Sequence, residues 1–257
     1  MLFHWLTERR RARLLKTPLP EAWAEILQSN VSAYQKLDAE HQQRLRDLVQ
    51  VFVDEKHWEG CGGLELTDEM RVTVAGCACL LILARDHDLL KEIESILVYP
   101  SAVTIPDAPQ GVFERGGRVQ GMGTDVLGVA HMRGPMVLAW DTVLSNSRNE
   151  TDGRNLVMHE VAHKIDFLDG AADGTPPLDT VEQRRAWAHA CSEAFLAHKA
   201  GTEHVLRDYA TTNEAEFFAV ATEMFFERPD RIANELPDLY AVLRDFYKLD
   251  PAVEESR

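Results

Sequence analysis

The sequence predicts an α+β fold, mostly helical, with a small sheet next to the helix of the stretch NLVMHEVAHKIDFLDG at 155–170. Three observations predict it. Long stretches toward both ends carry apolar residues three and four apart with charges between them, the spacing of amphipathic helices. Two short apolar runs in the middle, SILVYP and GPMVLAW, have the length and composition of strands. The order is therefore helices, a few strands, then helices, which is the layout of an α+β domain. With 257 residues, 45% hydrophobic and 27% charged, the chain is long enough to bury a sizeable core.

The chain opens MLFHWLTERRRARLLK. Mostly apolar residues precede the arginines, the reverse of a secretory signal. No later run approaches the ~20 residues of a membrane span. The expectation is a soluble, unexported, cytoplasmic protein. Arg9, Arg10, Arg11, Arg13 and Lys16 read as a solvated helix end or a frayed terminus, with contact to an acidic surface as the alternative. Residues 1–19 are set apart as this basic segment, and 20–257 as a single domain with a helical part at about 20–92 and a catalytic part at about 93–257.

From Pro20 to about Trp58 the pattern is helical, carried by EAWAEIL and HQQRLRDLVQVFVDEKHW. Gly60, Gly62 and Gly63 break it. Thr67 then starts a buried helix over DEMRVTVAGCACLLILARD. SILVYP is a strand ended by Pro100, and the glycine-rich region 101–133 is read as a variable loop with one or two strands. Pro135 makes GPMVLAW an edge strand, because proline cannot donate to a ladder. Helices resume at about Asp152, with breaks near Gly170–Pro177, Gly201, Pro229 and Pro237.

A net charge of −15 argues against direct nucleic-acid binding, which rests on neutralising phosphates. None of Cys61, Cys77, Cys79 and Cys191 forms a CxxC pair. Cys77 and Cys79 sit in an apolar run and read as buried thiols, which suits a reducing compartment.

The chemistry is concentrated in His159-Glu160-x-x-His163. Residues i and i+4 lie one turn apart on one helical face, so both imidazoles can point at one metal ion. Glu160 stands beside them, placed to take a proton from a zinc-bound water and hand it to a leaving amine. Leu156, Val157, Val161, Ile165 and Leu168 form the apolar stripe of this helix, and Asp152 offers a cap for it. The bland alternative is a helix with two polar histidines on its surface or in its core.

A hydrolytic zinc needs a third protein ligand. Asp169 is one candidate, but Asp166 stands where a turning glycine would be needed to swing it round. The other candidates lie in RDYATTNEAEFFAVATEMFFERP, where Glu216, with Glu214 behind it, interrupts an apolar helix. A buried carboxylate there needs a partner, and a metal would be one. Both glutamates read equally well as helix caps, through Asn213-x-x-Glu216 and Thr211-x-x-Glu214.

HEVAHKID followed by YATTNEAEFFAVATEMFF resembles the Mlc titration factor A family of bacterial zinc metallopeptidases. ILVYPSAV and GPMVLAWDTVL resemble that family's strand segments, so the likeness spans most of 20–247. The resemblance implies a zincin-like metallopeptidase fold whose site is related to the catalytic domain of anthrax lethal factor. It implies one zinc ion per chain, held by His159, His163 and Glu216, with Glu160 as general base and Tyr209 near the oxyanion. It further implies aminopeptidase-like action on a peptide substrate and binding to a glucose-responsive, Mlc-like transcriptional repressor. Asp166, two turns beyond His159, and Glu223, two turns beyond Glu216, are expected behind the ligands, because metal-bound histidines give their other N–H to a carboxylate or carbonyl. Two rivals are a repressor-binding module in which proteolysis is secondary, and a closed structural metal site using Asp169 or Glu214 as well.

Overall fold

A computed structural model describes residues 2–102, 134–149 and 152–254. The strands expected within 103–133 lie outside the described residues.

The first half is a helical layer. Helix α1 (Leu2–Leu14) lies on α3 (Ala39–Glu55), with α2 (Glu21–Asn30) between them in sequence. The basic N-terminal stretch meets an acidic surface of its own chain: Arg10 pairs with Asp54 at 2.7 Å, and Arg11 forks onto Glu55 at 2.7 and 2.9 Å. Helix α4 (Asp68–Leu80) starts where the sequence places it. The Thr67 hydroxyl accepts the Met70 N–H, and Asp68 and Glu69 complement the first turn. Met70 and every residue from Val72 to Leu80 are buried, so this helix is apolar all round because it has neighbours all round.

The sheet has three parallel strands in the order β1 (His57–Gly60), β2 (Ser95–Tyr99), β3 (Met136–Ala139). The register pairs Trp58 with Ile96, Ile96 with Met136 and Val98 with Leu138. β3 is an edge among the described strands, as Pro135 requires. β1 corrects the sequence reading, which runs the α3 helix on to Trp58. The helix ends at Glu55, and the His57 N–H goes instead to the Glu94 carbonyl. Pairing with β2 overrides the local pattern of a segment too short to show its own.

The second half is helical again. Helices resume before the expected Asp152: α5 (Trp140–Arg148) takes Trp140 out of the strand and leads from β3 toward α6 (Leu156–Asp166), which carries the HExxH residues and packs against β3. α7 (Val181–Lys199) begins at a capping box made by Thr180 and Gln183. α8 (Glu214–Glu227) lies against α6. Behind it, α9 (Pro229–Glu235), α10 (Pro237–Tyr247) and α11 (Pro251–Glu254) close the domain. Phe225 packs against Phe226, Tyr240 and Tyr247, which joins α8 to α10. One apolar core runs from Leu27 on α2 through Val74, Ile96 and Val161 to Phe225 and Leu243. Cys77 and Cys79 are buried in it, and burial pushes the Cys77 thiol up to about 12.

Candidate metal centre

The centre is built where α6 and α8 face each other. Asn155 caps α6: its side chain accepts the Met158 N–H at 3.2 Å. This corrects the expected cap at Asp152, whose carboxylate instead accepts the Arg154 N–H in the preceding turn. Asn155 also ties the two helices together. Its backbone N–H donates to Glu223 Oε2 at 2.7 Å, and its Nδ2 donates to Glu227 Oε1 at 2.9 Å.

Every residue of α6 is buried except Glu160. His159 and His163 point inward with their Nε2 atoms 3.1 Å apart. Glu216 Oε2 lies 3.1 Å from His159 Nε2 and 3.4 Å from His163 Nε2. All three atoms fall within 4.8 Å of one another, the one such group among the described residues. Glu216 is brought there by its helix start. The Asn213 side chain accepts the Glu216 N–H at 2.9 Å, leaving the Glu216 carboxylate to face the imidazoles rather than cap backbone amides. The sequence allowed both uses of Glu216, and its carboxylate faces the two imidazoles.

His159 Nδ1 is 2.7 Å from Glu223 Oε1. A neutral His159 that donates from Nδ1 presents a lone pair at Nε2. Two imidazole nitrogens and a carboxylate oxygen then face one small volume, and Glu216 Oε2 has no well-formed hydrogen bond there. With both imidazoles deprotonated at Nε2 the three atoms are all acceptors, a set that fits a divalent cation bound through nitrogen and oxygen.

The electrostatics agree. Burial opposes protonation of His159, but the Glu216 and Glu223 carboxylates outweigh it and push the imidazole up to about 10. Burial alone would raise Glu216 and Glu223. His159 and His163 hold Glu216 well below the carboxylate range, and His159 with Arg207 does the same for Glu223. The field that favours a proton among these groups also favours a cation.

The other candidates separate cleanly. Asp169 and Glu214 are exposed, and Asp169 accepts the Ala171 N–H at 3.0 Å. Asp166 is buried, but its Oδ2 accepts the Gly174 N–H at 3.1 Å, so Glu223 and not Asp166 stands behind His159. Burial raises Asp166 to about 6. Tyr209 sits on a 3₁₀ turn, Asp208–Thr211, half-buried, with its ring centroid 6.0 Å from that of His159.

Three functional contacts escaped the sequence reading. Asn155 and Lys164 look like ordinary helix residues, yet Asn155 bridges α6 to α8, and the Lys164 ammonium donates to the Gly134 carbonyl at 2.6 Å, at the entrance to β3. Arg207 forks onto Glu223. A cation just before the glutamate-bearing helix was the only signal for it.

A buried helix with HExxH, a facing carboxylate and an adjacent small sheet define the class: this is a metallopeptidase of the α+β kind. The sequence profile described as "Glucose-regulated metallo-peptidase M90" matches residues 5–248, and the chain belongs to that family. It is 34% identical to an uncharacterized protein of Synechocystis sp., over 97% of this chain and 91% of that one. It is 32% identical to Mlc titration factor A of Serratia proteamaculans, over 98% of this chain and 94% of that protein. Mlc titration factor A of Yersinia pestis is 28% identical, with 98% and 92% covered. The family implies a metal ion, and no helix among the described residues is long and apolar enough to cross a membrane.

Proposed function

We propose that the protein is a zinc-dependent peptidase of aminopeptidase type, with His159, His163 and Glu216 holding one zinc ion and Glu160 and Tyr209 acting on the peptide. The observation that carries this reading is the convergence of the three ligand atoms within 4.8 Å, with Glu223 on the far nitrogen of His159. A zinc ion held there supplies a Lewis acid that activates water and polarises a carbonyl. The protein supplies the rest. Glu160, the one residue of its helix that is not buried, accepts a proton from the attacking water and returns it to the departing amine. The Tyr209 hydroxyl donates to the carbonyl oxygen as charge develops on it. Glu223 keeps the His159 ring in one tautomer and one orientation. The β3 edge aligns an extended peptide through main-chain hydrogen bonds. Cys61, Cys77, Cys79 and Cys191 are free thiols, which supports a cytoplasmic setting.

The test is the zinc content of wild type, Glu216→Ala and Glu160→Gln, with turnover of a short peptide bearing a free N-terminus. Wild type should carry about one zinc and cleave. Glu216→Ala should lose both, and Glu160→Gln should keep zinc but lose turnover. If Glu216→Ala retains zinc and activity, Glu216 is only a helix residue, and Asp169 or Glu214 must be the third ligand.

The name of the Serratia and Yersinia relatives favours a second reading, in which the protein binds an Mlc-like transcriptional repressor and proteolysis is secondary, with regulation of sugar uptake as the role the family resemblance implies. Glu160→Gln separates the two. A regulatory effect in cells that survives this substitution belongs to binding, and one that disappears belongs to proteolysis.

A further inference from the structure

Resting on the metallopeptidase reading, we infer that Arg207 is a positioning residue that sets both His159 and Tyr209 with one side chain. Its Nη1 donates to Glu223 Oε2 at 3.0 Å, and its Nη2 donates to Glu223 Oε1. Nη1 also reaches the Gly153 carbonyl at 3.4 Å, in the turn that leads into α6. Nη2 stands 3.4 Å from His159 Nδ1.

Glu223 shows why this matters. Its carboxylate is fully buried, with 0% side-chain exposure. Oε1 receives His159 and Arg207, and Oε2 receives the Asn155 N–H and Arg207. The carboxylate is thus held by four contacts, two of them from the same planar fork. A bidentate guanidinium fixes the plane of a carboxylate as well as its position. The Glu223 plane in turn directs Oε1 at His159 Nδ1, and so directs Nε2 at the cluster with His163 and Glu216. Lysine could supply the charge but only one point of contact.

The second task lies in the backbone. The 3₁₀ turn Asp208–Thr211, which carries Tyr209, begins at the next residue. The Arg207 carbonyl accepts the Ala210 N–H at 2.9 Å, and His198 Nε2 lies 3.1 Å from the same oxygen. His198 Nδ1 lies 2.9 Å from the Glu203 carbonyl, and the buried ring, with one N–H when neutral, donates to one of the two carbonyls and packs against the other. The turn is therefore clamped at its start from both sides, by His198 on the main chain and by Glu223 on the side chain. Tyr209 is held beside His159 because its chain neighbour is bolted to the carboxylate that holds His159.

Two double-substitution cycles on the full-length, zinc-loaded protein test this. Zinc affinity is read by competition with a chromophoric chelator, and the metal environment by the visible absorption of the cobalt-substituted protein. kcat and KM are read separately on an unblocked peptide. Arg207→Met should weaken zinc roughly 10–100-fold, the range for losing an outer partner of a metal ligand. It should shift the cobalt spectrum and lower kcat at saturating zinc with little change in KM, because Tyr209 acts on charge present only in the transition state. Arg207→Lys should recover part of the zinc affinity but not the cobalt spectrum. Because Arg207 acts through its neighbours, Arg207→Met should cost little further affinity in a Glu223→Gln background, and little further kcat in a Tyr209→Phe background. Fully additive losses in both cycles would overturn the inference, as would unchanged zinc affinity and cobalt spectrum in both Arg207 variants. If Arg207→Met fails to fold, Arg207→Lys with its cobalt spectrum decides. A wild type that binds no zinc sinks the metallopeptidase reading instead, and is seen before any substitution is made.

Discussion

Gly174→Ala offers a way to move the metal centre without touching a ligand. Gly174 has φ +75°, and a Cβ built on it would lie 2.3 Å from the Glu214 carbonyl oxygen and 2.8 Å from its carbon. Its N–H donates to Asp166 Oδ2 at 3.1 Å, and its carbonyl accepts from Trp187 Nε1 at 3.0 Å. Glu214 is the first residue of α8, two before Glu216. Gly174 is thus wedged between the end of α6, the indole of α7 and the start of α8. Alanine in a left-handed conformation costs about 1–2 kcal/mol. Relieving a contact with backbone costs about 1–3 kcal/mol more. The sum is about 2–5 kcal/mol, or a fall in Tm of about 4–20 °C for a chain of this size. Relief also requires α8 to back away from the loop by a good part of an ångström, whereas metal sites tolerate about 0.2 Å. Zinc affinity should therefore drop along with Tm. Gly170→Ala is the control, because Gly170 has φ +93° but, among the described residues, nothing within 4 Å of where its Cβ would go. It should show the left-handed strain alone, about 1–2 kcal/mol, with zinc affinity unchanged. The measurements are thermal unfolding in chelator and a zinc competition titration. Equal losses from the two substitutions, or full zinc affinity in Gly174→Ala, would refute the wedge.

Two further outcomes follow from the same geometry. With His159 pushed up to about 10, zinc must displace a proton across the neutral range, so its affinity should fall as pH falls, about tenfold per pH unit for each proton released. Calorimetric titrations in buffers of different ionisation enthalpy count those protons, and a pH-independent affinity would contradict the assignment. In chelator, the raised His159 value contributes stability that is complete below about 6.5, the unfolded value, and is lost as pH rises toward about 10, so Tm should decline over that window. For the β3 edge, methylating a peptide substrate at successive backbone nitrogens should raise KM roughly tenfold at a position that pairs with the strand, the worth of one hydrogen bond. KM that is flat along the series would exclude docking by strand addition.

The parts of the fold that show in the sequence are those whose cause is local. Thr67 before an apolar run, the SILVY run and Pro135 before an edge strand each carry their own reason, and the start of α4, β2 and β3 appear where those reasons place them, although α4 ends at Leu80 and not at Asp86, where the apolar run would carry it. β1 carries none. His57–Gly60 has no apolar alternation, and it is a strand only because β2 lies alongside. The start of α6 is similar. Asp152 is a good capping residue, but Gly153 turns the chain at φ +67° and Asn155 is pinned by Glu223 and Glu227 from far along the sequence.

The site divides along the same line. One periodicity argument, seven residues or two turns, puts Asp166 behind His159 and Glu223 in register with Glu216. The same spacing leads to different partners. Glu223 sits in the middle of a continuous helix packed on α6, so its direction follows from the helix and it meets His159. Asp166 is the last α-helical residue before the chain tightens into 3₁₀ geometry at Phe167, and the returning loop presents the Gly174 N–H to it. Periodicity predicts a partner in mid-helix, where the neighbour is another helix, and fails at a terminus, where the neighbour is whatever the next loop brings. Arg207 lies beyond its reach altogether, because it belongs to no helix and its side-chain contacts, on Glu223, Gly153 and His159, exist only once α6 and α8 have come together. Candidate donor atoms sit on regular elements, where spacing can offer them without choosing among them. The groups that aim them come from the joints between elements, which is where substitutions such as Arg207→Met and Gly174→Ala should show how the centre is held.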